Sequence, residues 1–489
     1  MLMPPDGDVA TMASLTAVST ENQVPNLMDR LVAHAVRASV VDYFHVRGEA
    51  VVNVRAGAKG NAPIAATRGR SQSLGIRVWA HGGVGYAAST EAEPDLARLV
   101  AAAARSARSH ARLARAIPPP RAVRDEKLAT PVRDPLDEAD DALLFDLVTR
   151  AAEAASAASA QAGTHAVIGA RIATRWLTDG MATTETRAHL STLLAMAQRR
   201  ADGRVGDGTA RWGGTRGARD FVGPCAPEAL GAEAAKRLEE SLDASPVKAG
   251  RMRVLCDPEL AGTLAHESFG HLTEYDLVHS GWSTLHGHMG ERLGAPGVTI
   301  RDSPVTPQVE LDGVQVPVDD EGTRGRTVTM LDDGHLNAWL HSGDTAALVD
   351  AEPTGNARVL DARFSPMVRM RNTYFAAGDA RFDEALEQLG DGLYLCGARG
   401  GAPNPDGGFM FTALRGYRVE RGQVVAPVRG PAIHGGILDF LQRVECVTDT
   451  VEMHTNYFGG CGKREQSFMH VGVGGPHVLV SEALVGGVA

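Results

Sequence analysis

The sequence predicts an α+β protein: an N-terminal α+β domain with an antiparallel sheet, followed by a β-rich C-terminal domain. Three observations carry this expectation. The first half alternates helix, strands, helix, helix, strands, helix, and the second half is dominated by short strands. Gly, Asp and Pro turns punctuate those strands. The 55 glycines exceed average usage, which fits many turns and tight strand connections. A length of 489 residues suggests two or three domains and an ample core.

The elements follow in order. Residues 1–24 contain Asp6 and Asp8 and lack a basic start followed by an apolar block, so they read as a disordered extension rather than a secretory signal. The N-terminal domain is expected over 25–245. Leu27, Leu31, Val32, Ala35 and Val36 have helical spacing. Asp42 to Arg55 and Ser73 to Ala80 are rich in β-branched and aromatic residues and read as antiparallel strands, with a turn at His81 to Gly85. Glu93 to Ala116 is an Ala/Arg helix whose arginines form a solvated face. Pro118-Pro119-Pro120 breaks the chain. Asp137 to Ala160 is a helix. His165 to Trp212 returns to strands, with turns near Gly180 and Gly203, and Pro227 to Asp243 is an amphipathic helix.

The C-terminal domain is expected over 246–489. Met252 to Cys256 reads as a short buried strand. Asp257 is suited to cap a helix and Pro258 to open it. Asp319-Asp320-Glu321-Gly322 lacks the alternating ligands of a calcium loop and reads as a plain turn. Leu393 to Cys396, Phe409 to Leu414, Gly416 to Val419 and His477 to Val480 read as strands.

Within that domain stands His266-Glu267-Ser268-Phe269-Gly270-His271. Two histidines with a glutamate after the first suggest a zinc site with a built-in acid/base. The spacing is five, not four. On a regular α-helix that sets the histidines about 140° apart. One extra residue in the turn, a π-bulge, brings them to roughly 40°, and such bulges are frequent at functional sites. The helix is therefore expected to widen just before His271, with Gly270 accommodating the distortion. Leu260, Ala261, Leu264 and Ala265 form its apolar stripe. A third ligand must come from elsewhere. Glu274 is the neatest local choice; Asp276, His279, His286 and His288 also lie nearby, and Cys461 sits far downstream among Gly459, Gly460 and Gly462. A thiolate is a strong ligand. Cys256, Cys396 and Cys446 lie in apolar or strand-like context and read as core residues.

Several blocks now occur together. They include Ser-Leu-Gly-Ile-Arg-Val from Ser73, the hexapeptide, Asp320-Glu321-Gly322-Thr323, Thr354-Gly355-Asn356-Ala357-Arg358 and Met370-Arg371-Asn372-Thr373-Tyr374. Gly459-Gly460-Cys461-Gly462-Lys463 and Gly472-Val473-Gly474 follow. In this order they resemble the TldD/PmbA metallopeptidases, in the TldD-like, metal-binding branch, over most of the chain. The resemblance implies that His266, His271 and Cys461 bind Zn2+ and that Glu267 is the catalytic base. It implies a zinc metallopeptidase acting on unfolded or small peptides, working as a homodimer or as a heterodimer with a TldE/PmbA-type paralogue. Two departures, Leu272 to Asp276 after the second histidine and Val359 after Arg358, bear on substrate preference. Two other readings accompany this one: a dedicated amidase or peptidase maturing a peptide-like natural product, and a non-catalytic peptide-binding subunit. Arg371 and Asn372 read equally as contacts to substrate or a neighbouring subunit and as surface packing.

A formal net charge of -10, with no basic run, argues against nucleic acid as a partner. No apolar run is long enough to span a membrane. Five scattered cysteines, an odd number, imply no disulfide framework and make a reducing cytoplasm the expected compartment.

Overall fold

Alternation along long strands sorts charged from apolar side chains, and this sorting sets the architecture. In the computed structural model, which describes residues 23–112, 119, 123–159, 161–201, 204–306, 312–403 and 407–487, the first sheet has seven strands. They are β1 (Tyr43–Lys59), β2 (Ala62–Ala80), β3 (Gly83–Ser89), β4 (Glu126–Ala129), β5 (Gly163–Thr178), β6 (Thr183–Ala201) and β7 (Arg204–Gly214). The order is β3-β2-β1-β5-β6, and both β7 and the short parallel β4 pair with β6. One face carries Val46, Ala50, Val54 and Ala56 of β1 with Ala166, Ile168, Ala170 and Ile172 of β5. Helices α1 (Gln23–Arg37) and α2 (Leu96–Ala111) cover one half of that face; α3 (Asp141–Ala158) and α4 (Pro227–Asp243) cover the other.

The opposite face carries Arg47, Glu49 and Arg55 from β1, Arg77 from β2, and Arg171 and Arg175 from β5. Glu49 is fully buried and accepts from Arg171 at 2.9 Å and Arg175 at 2.8 Å. The C-terminal half lies against this charged face. Arg47 pairs with Asp320 at 2.8 Å, Arg77 pairs with Glu321 and Asp344, and Arg55 donates to the Tyr457 hydroxyl at 3.1 Å. The acidic segment at Asp319 is thus the expected turn. Its acidity answers the arginines of the sheet rather than a calcium ion.

In the C-terminal half, Gly392–Pro403, Gly250–Cys256, Val478–Gly487, Pro431–Gly436 and Gly408–Glu420 pair in sequence. The last also pairs with the first, so the ladder closes into a ring. A second, six-stranded sheet includes Ile300–Ser303, Asn372–Phe375 and Gly472–Gly475. Between them runs the largest apolar core, with Leu260, Leu264, Phe269, Met330, Phe375 and Phe411.

The elements match expectation in kind and differ at their ends. α4 spans the predicted residues. α2 starts later than predicted because Asp95 caps it, accepting from the Arg98 amide at 3.0 Å. β2 starts eleven residues before Ser73. Its first part is solvent-exposed and held by main-chain pairing with β1, so it carries no hydrophobic signal. The turn at His81 is only two residues long, and the glycines beyond it open β3. A side chain at Gly83 or Gly85 would strike the backbone of α2 at Ala107 or Ala103, so these glycines mark close approach, not a turn. The two strands expected at Phe409 and Gly416 are one. Residues 1–22, residues 113–116 at the end of the helix expected to Ala116, Pro118, Pro120, Ala160 and Gly203 lie outside the described residues.

Glu49 makes the charged face testable. Burial opposes its ionisation, but Arg171, Arg175 and Arg47 hold its pKa at about 2, below the usual 4.5. A depressed carboxylate contributes stability fully above its unfolded pKa and loses it as pH falls towards the folded one. Glu49→Gln is expected to destabilise by roughly 3–5 kcal/mol at pH 7. That gap should narrow between pH 4.5 and about 2. Denaturant unfolding at several pH values measures it; a constant gap would contradict the assignment.

Candidate metal centre

The site begins with the helix Pro258–Leu264, capped by Asp257, whose carboxylate accepts from the Leu260 amide at 2.8 Å. Leu260, Ala261 and Leu264 are buried in the core. The chain then continues as a π-helical turn, Ala265–Gly270. The His271 amide bonds the His266 carbonyl, five residues back. The expected widening is present, and it sets the two rings 5.3 Å apart between centroids and nearly perpendicular. Two glycines allow the turn to sit where it does. A side chain at Gly262 would collide with Gly474, and one at Gly270 with the Met370 sulfur.

His266, Glu267, His271 and Cys461 converge: one donor atom from each lies within 4.8 Å of all the others. His271 Nε2 is 3.2 Å from Cys461 Sγ and 3.7 Å from Glu267 Oε2. Both histidines and Cys461 are buried, whereas the Glu267 side chain is 28% exposed, which makes it the group facing solvent. His266 Nε2 is buried and has no hydrogen-bond partner among the described residues. Two imidazoles, a thiolate and a carboxylate suit a metal ion, and the unpartnered nitrogen among them fits a cation rather than a structural hydrogen bond.

Each ring is held from behind. The Thr373 hydroxyl is 3.3 Å from His266 Nδ1 and donates to Asp302 at 3.4 Å. Glu274 Oε2 is 2.9 Å from His271 Nδ1. A ring that donates its Nδ1–H to these acceptors is left with the Nε2 lone pair to offer to the site. Glu274, the neat local choice for a third ligand, therefore bonds the far side of His271 and is not among the converging groups. The cause is its helical spacing from His271, which turns its carboxylate to the outer nitrogen. Asp276 bonds Lys463, His288 pairs with Glu291, and neither His279 nor His286 joins the cluster.

Charges follow from this packing. Burial alone would raise the Cys461 thiol pKa, but His271 and His266 overcome it and hold it well below its usual range. Burial, followed by the Cys461 charge, raises Glu267. Burial raises the Glu274 pKa, but Lys463 and His271 outweigh it and bring that carboxyl to about 2.

Cys461 reaches the site because the chain before it is seated on the sheet. The Tyr457 amide donates to Thr192 at 2.9 Å, and its ring lies over Gly169 of β5, where any side chain would intrude. Arg369, fully buried, donates to the Cys461 carbonyl at 2.9 Å. Arg371 and Asn372 are fully buried too, which corrects the reading of them as contact or surface residues. Arg371 bonds Asp302 at 2.9 Å and the Gly355 and Arg326 carbonyls; Asn372 bonds Val314 and Ser303. Asp302, Thr373, Lys463 and Tyr457 were not singled out by sequence. Thr373 and Lys463 lay inside the resembling blocks; Asp302 and Tyr457 carried no local pattern.

The seat for Tyr457 can be tested. Gly169→Ala is expected to cost about 1–3 kcal/mol through overpacking. Adding Tyr457→Ala should relieve most of that cost in thermal unfolding, whereas simple additivity would contradict the contact.

Comparison with known proteins bears on what this arrangement is. The PmbA/TldA metallopeptidase C-terminal domain matches residues 249–487, and domain 1 of the same family matches residues 46–107, together more than half of the chain. A metalloprotease of Methanothermobacter thermautotrophicus is 38% identical over 262 residues, 53% of this chain and 56% of that protein. A zinc metalloprotease TldD homolog of Saccharolobus solfataricus is 35% identical over 254 residues, 52% of this chain and 55% of that one. The chain thus spans about half the length of the curated relatives it matches. The fold is also that of TldE from Thermococcus kodakarensis, with a TM-score of 0.73 at 17% identity over 95% of this chain and 99% of the other. A Thermotoga maritima protein described as a candidate modulator of a DNA gyrase gives 0.75 at 22% identity over 94% and 100%. By its sequence blocks, its fold and these matches, the chain belongs to the PmbA/TldD metallopeptidase family.

Proposed function

We propose that this chain is a zinc-dependent metallopeptidase that hydrolyses peptide bonds of unfolded or small peptides. His266, His271 and Cys461 are the metal ligands in this reading, and Glu267 is the base. The observation that carries it is the convergence of these four groups around a buried imidazole nitrogen that has no hydrogen-bond partner among the described residues. The name of the Saccharolobus relative supports zinc as the metal.

A zinc ion held there supplies Lewis acidity, polarising a carbonyl and making water easier to deprotonate near neutral pH. The chain's own residues do the rest. Thr373 and Glu274 keep the imidazoles in the tautomer that offers Nε2. Glu267, the exposed member of the cluster, takes a proton from water and returns it to the departing amide nitrogen. Burial of the histidines and Cys461 limits solvent to the Glu267 side.

The charged face of the first sheet supports a division near residue 245 into a supporting domain, 25–245, and a catalytic one, 246–489. Likeness in fold to TldE supports assembly as a dimer, with a second copy or a TldE-type paralogue. No described helix is long and apolar enough to cross a membrane, and unpaired cysteines suit a reducing cytoplasm.

Glu267→Gln is the test. With a quenched-fluorescent unstructured peptide, kcat should fall by about 10²–10⁴-fold while zinc is retained. A chelator should abolish turnover, and added zinc should restore it. Turnover that survives Glu267→Gln, or that ignores the chelator, would overturn the assignment.

A further inference from the structure

Cys461 lies on a short hairpin, Cys461–Lys463 paired with Gln466–Met469. Glycines stand at 459, 460 and 462. An isolated two-stranded hairpin of this length has little stability of its own, and the glycines leave its backbone free. Something must fix it against the helix that carries His271.

Lys463 is placed to do so. Its side chain is 5% exposed. Nζ lies 3.0 Å from Glu274 Oε2, 2.8 Å from both oxygens of Asp276 and 2.9 Å from the Val368 carbonyl. Three acceptor groups, two carboxylates and one carbonyl, surround the three donors of the ammonium. Residues 461 and 463 are two apart on one strand, so both side chains leave the same face. Glu274 in turn holds His271 Nδ1 at 2.9 Å, and His271 Nε2 faces Cys461 Sγ. The contacts form a closed circuit: His271, Glu274, Lys463, the strand, Cys461, and back to His271.

We propose that Lys463 is a positioning residue for the metal-ligating set: by bonding Glu274 and Asp276 together it locks the Cys461 hairpin to the end of the His271 helix, so that the donors converge before a metal arrives. This rests on the reading of His266, His271 and Cys461 as ligands. Lys463 itself touches neither metal nor substrate in this account.

Lys463→Met leaves Glu274 without its cation and is liable to misfold. The triple variant Lys463→Met/Glu274→Gln/Asp276→Asn removes the cation and both carboxylate charges it ties, and the amide oxygen of Gln can still accept from His271 Nδ1–H. The tie is cut while the tautomer is kept. Two readouts apply to the full-length protein. Zinc affinity by chelator competition should fall about 10–100-fold. In metal-free protein, amide hydrogen exchange in 461–469 should quicken roughly ten-fold, with exchange in α3 and β5 unchanged. Unchanged exchange in the hairpin overturns the proposal, as does faster exchange spread through the whole molecule or undiminished zinc affinity. If the wild type binds no zinc, the ligand reading fails separately, and exchange in the metal-free protein still decides whether Lys463 fixes the hairpin.

Discussion

The site depends on a buried ion pair, Arg371 with Asp302, both fully inaccessible to solvent. Asp302 accepts from the Arg371 guanidinium, from its main-chain amide at 2.7 Å and from Asn356 at 2.8 Å. Its remaining reach is to Thr373 and, through that hydroxyl, to His266. Arg371 meanwhile gathers the carbonyls of Thr354, Gly355 and Arg326. One pair thus fixes the His266 ring and two loop segments behind it. A buried pair of this kind adds little net stability over an apolar substitute, and its value lies in specifying one arrangement. Removing either partner strands a charge in a dry interior.

A second constraint is steric. The π-helical turn needs two close approaches, Gly262 on Gly474 and Gly270 under Met370. The Tyr457 seat needs a third, at Gly169. These contacts bring together segments from three parts of the chain: the helix near 266, the strand near 373 and the hairpin near 461. The charged face of the first sheet is the surface on which the last is laid. Its arginines are neutralised by Asp320 and Glu321 from the C-terminal half, so the two halves complete each other electrostatically.

Much of this was legible in the sequence. The five-residue histidine spacing demanded a widened turn, and one is present between Ala265 and Gly270. Asp257, Pro258 and the apolar stripe placed the helix beneath it. The order of the resembling blocks brought Cys461, 190 residues beyond His271, into the same proposed site. What was not legible is long-range pairing of polar groups. Nothing local says that Asp302 belongs with Arg371, or that Glu274 turns its carboxylate away from the donors, because hydrophobic periodicity reports burial of apolar faces and is silent about charges buried in pairs. The same blindness shortened β2, whose exposed first part is held by main-chain bonds alone, and left Arg371 and Asn372 to be read equally as contact residues and as surface packing.

The central claim is that His266, His271 and Cys461 act as one ligand set. Metal content of the purified chain tests it most directly, measured beside Cys461→Ser and His266→Ala, with folding of each checked by its unfolding transition. The account predicts about one zinc per wild-type chain and little in either folded variant. Zinc retained at full stoichiometry in both variants would contradict it, and would place the ion elsewhere in the protein.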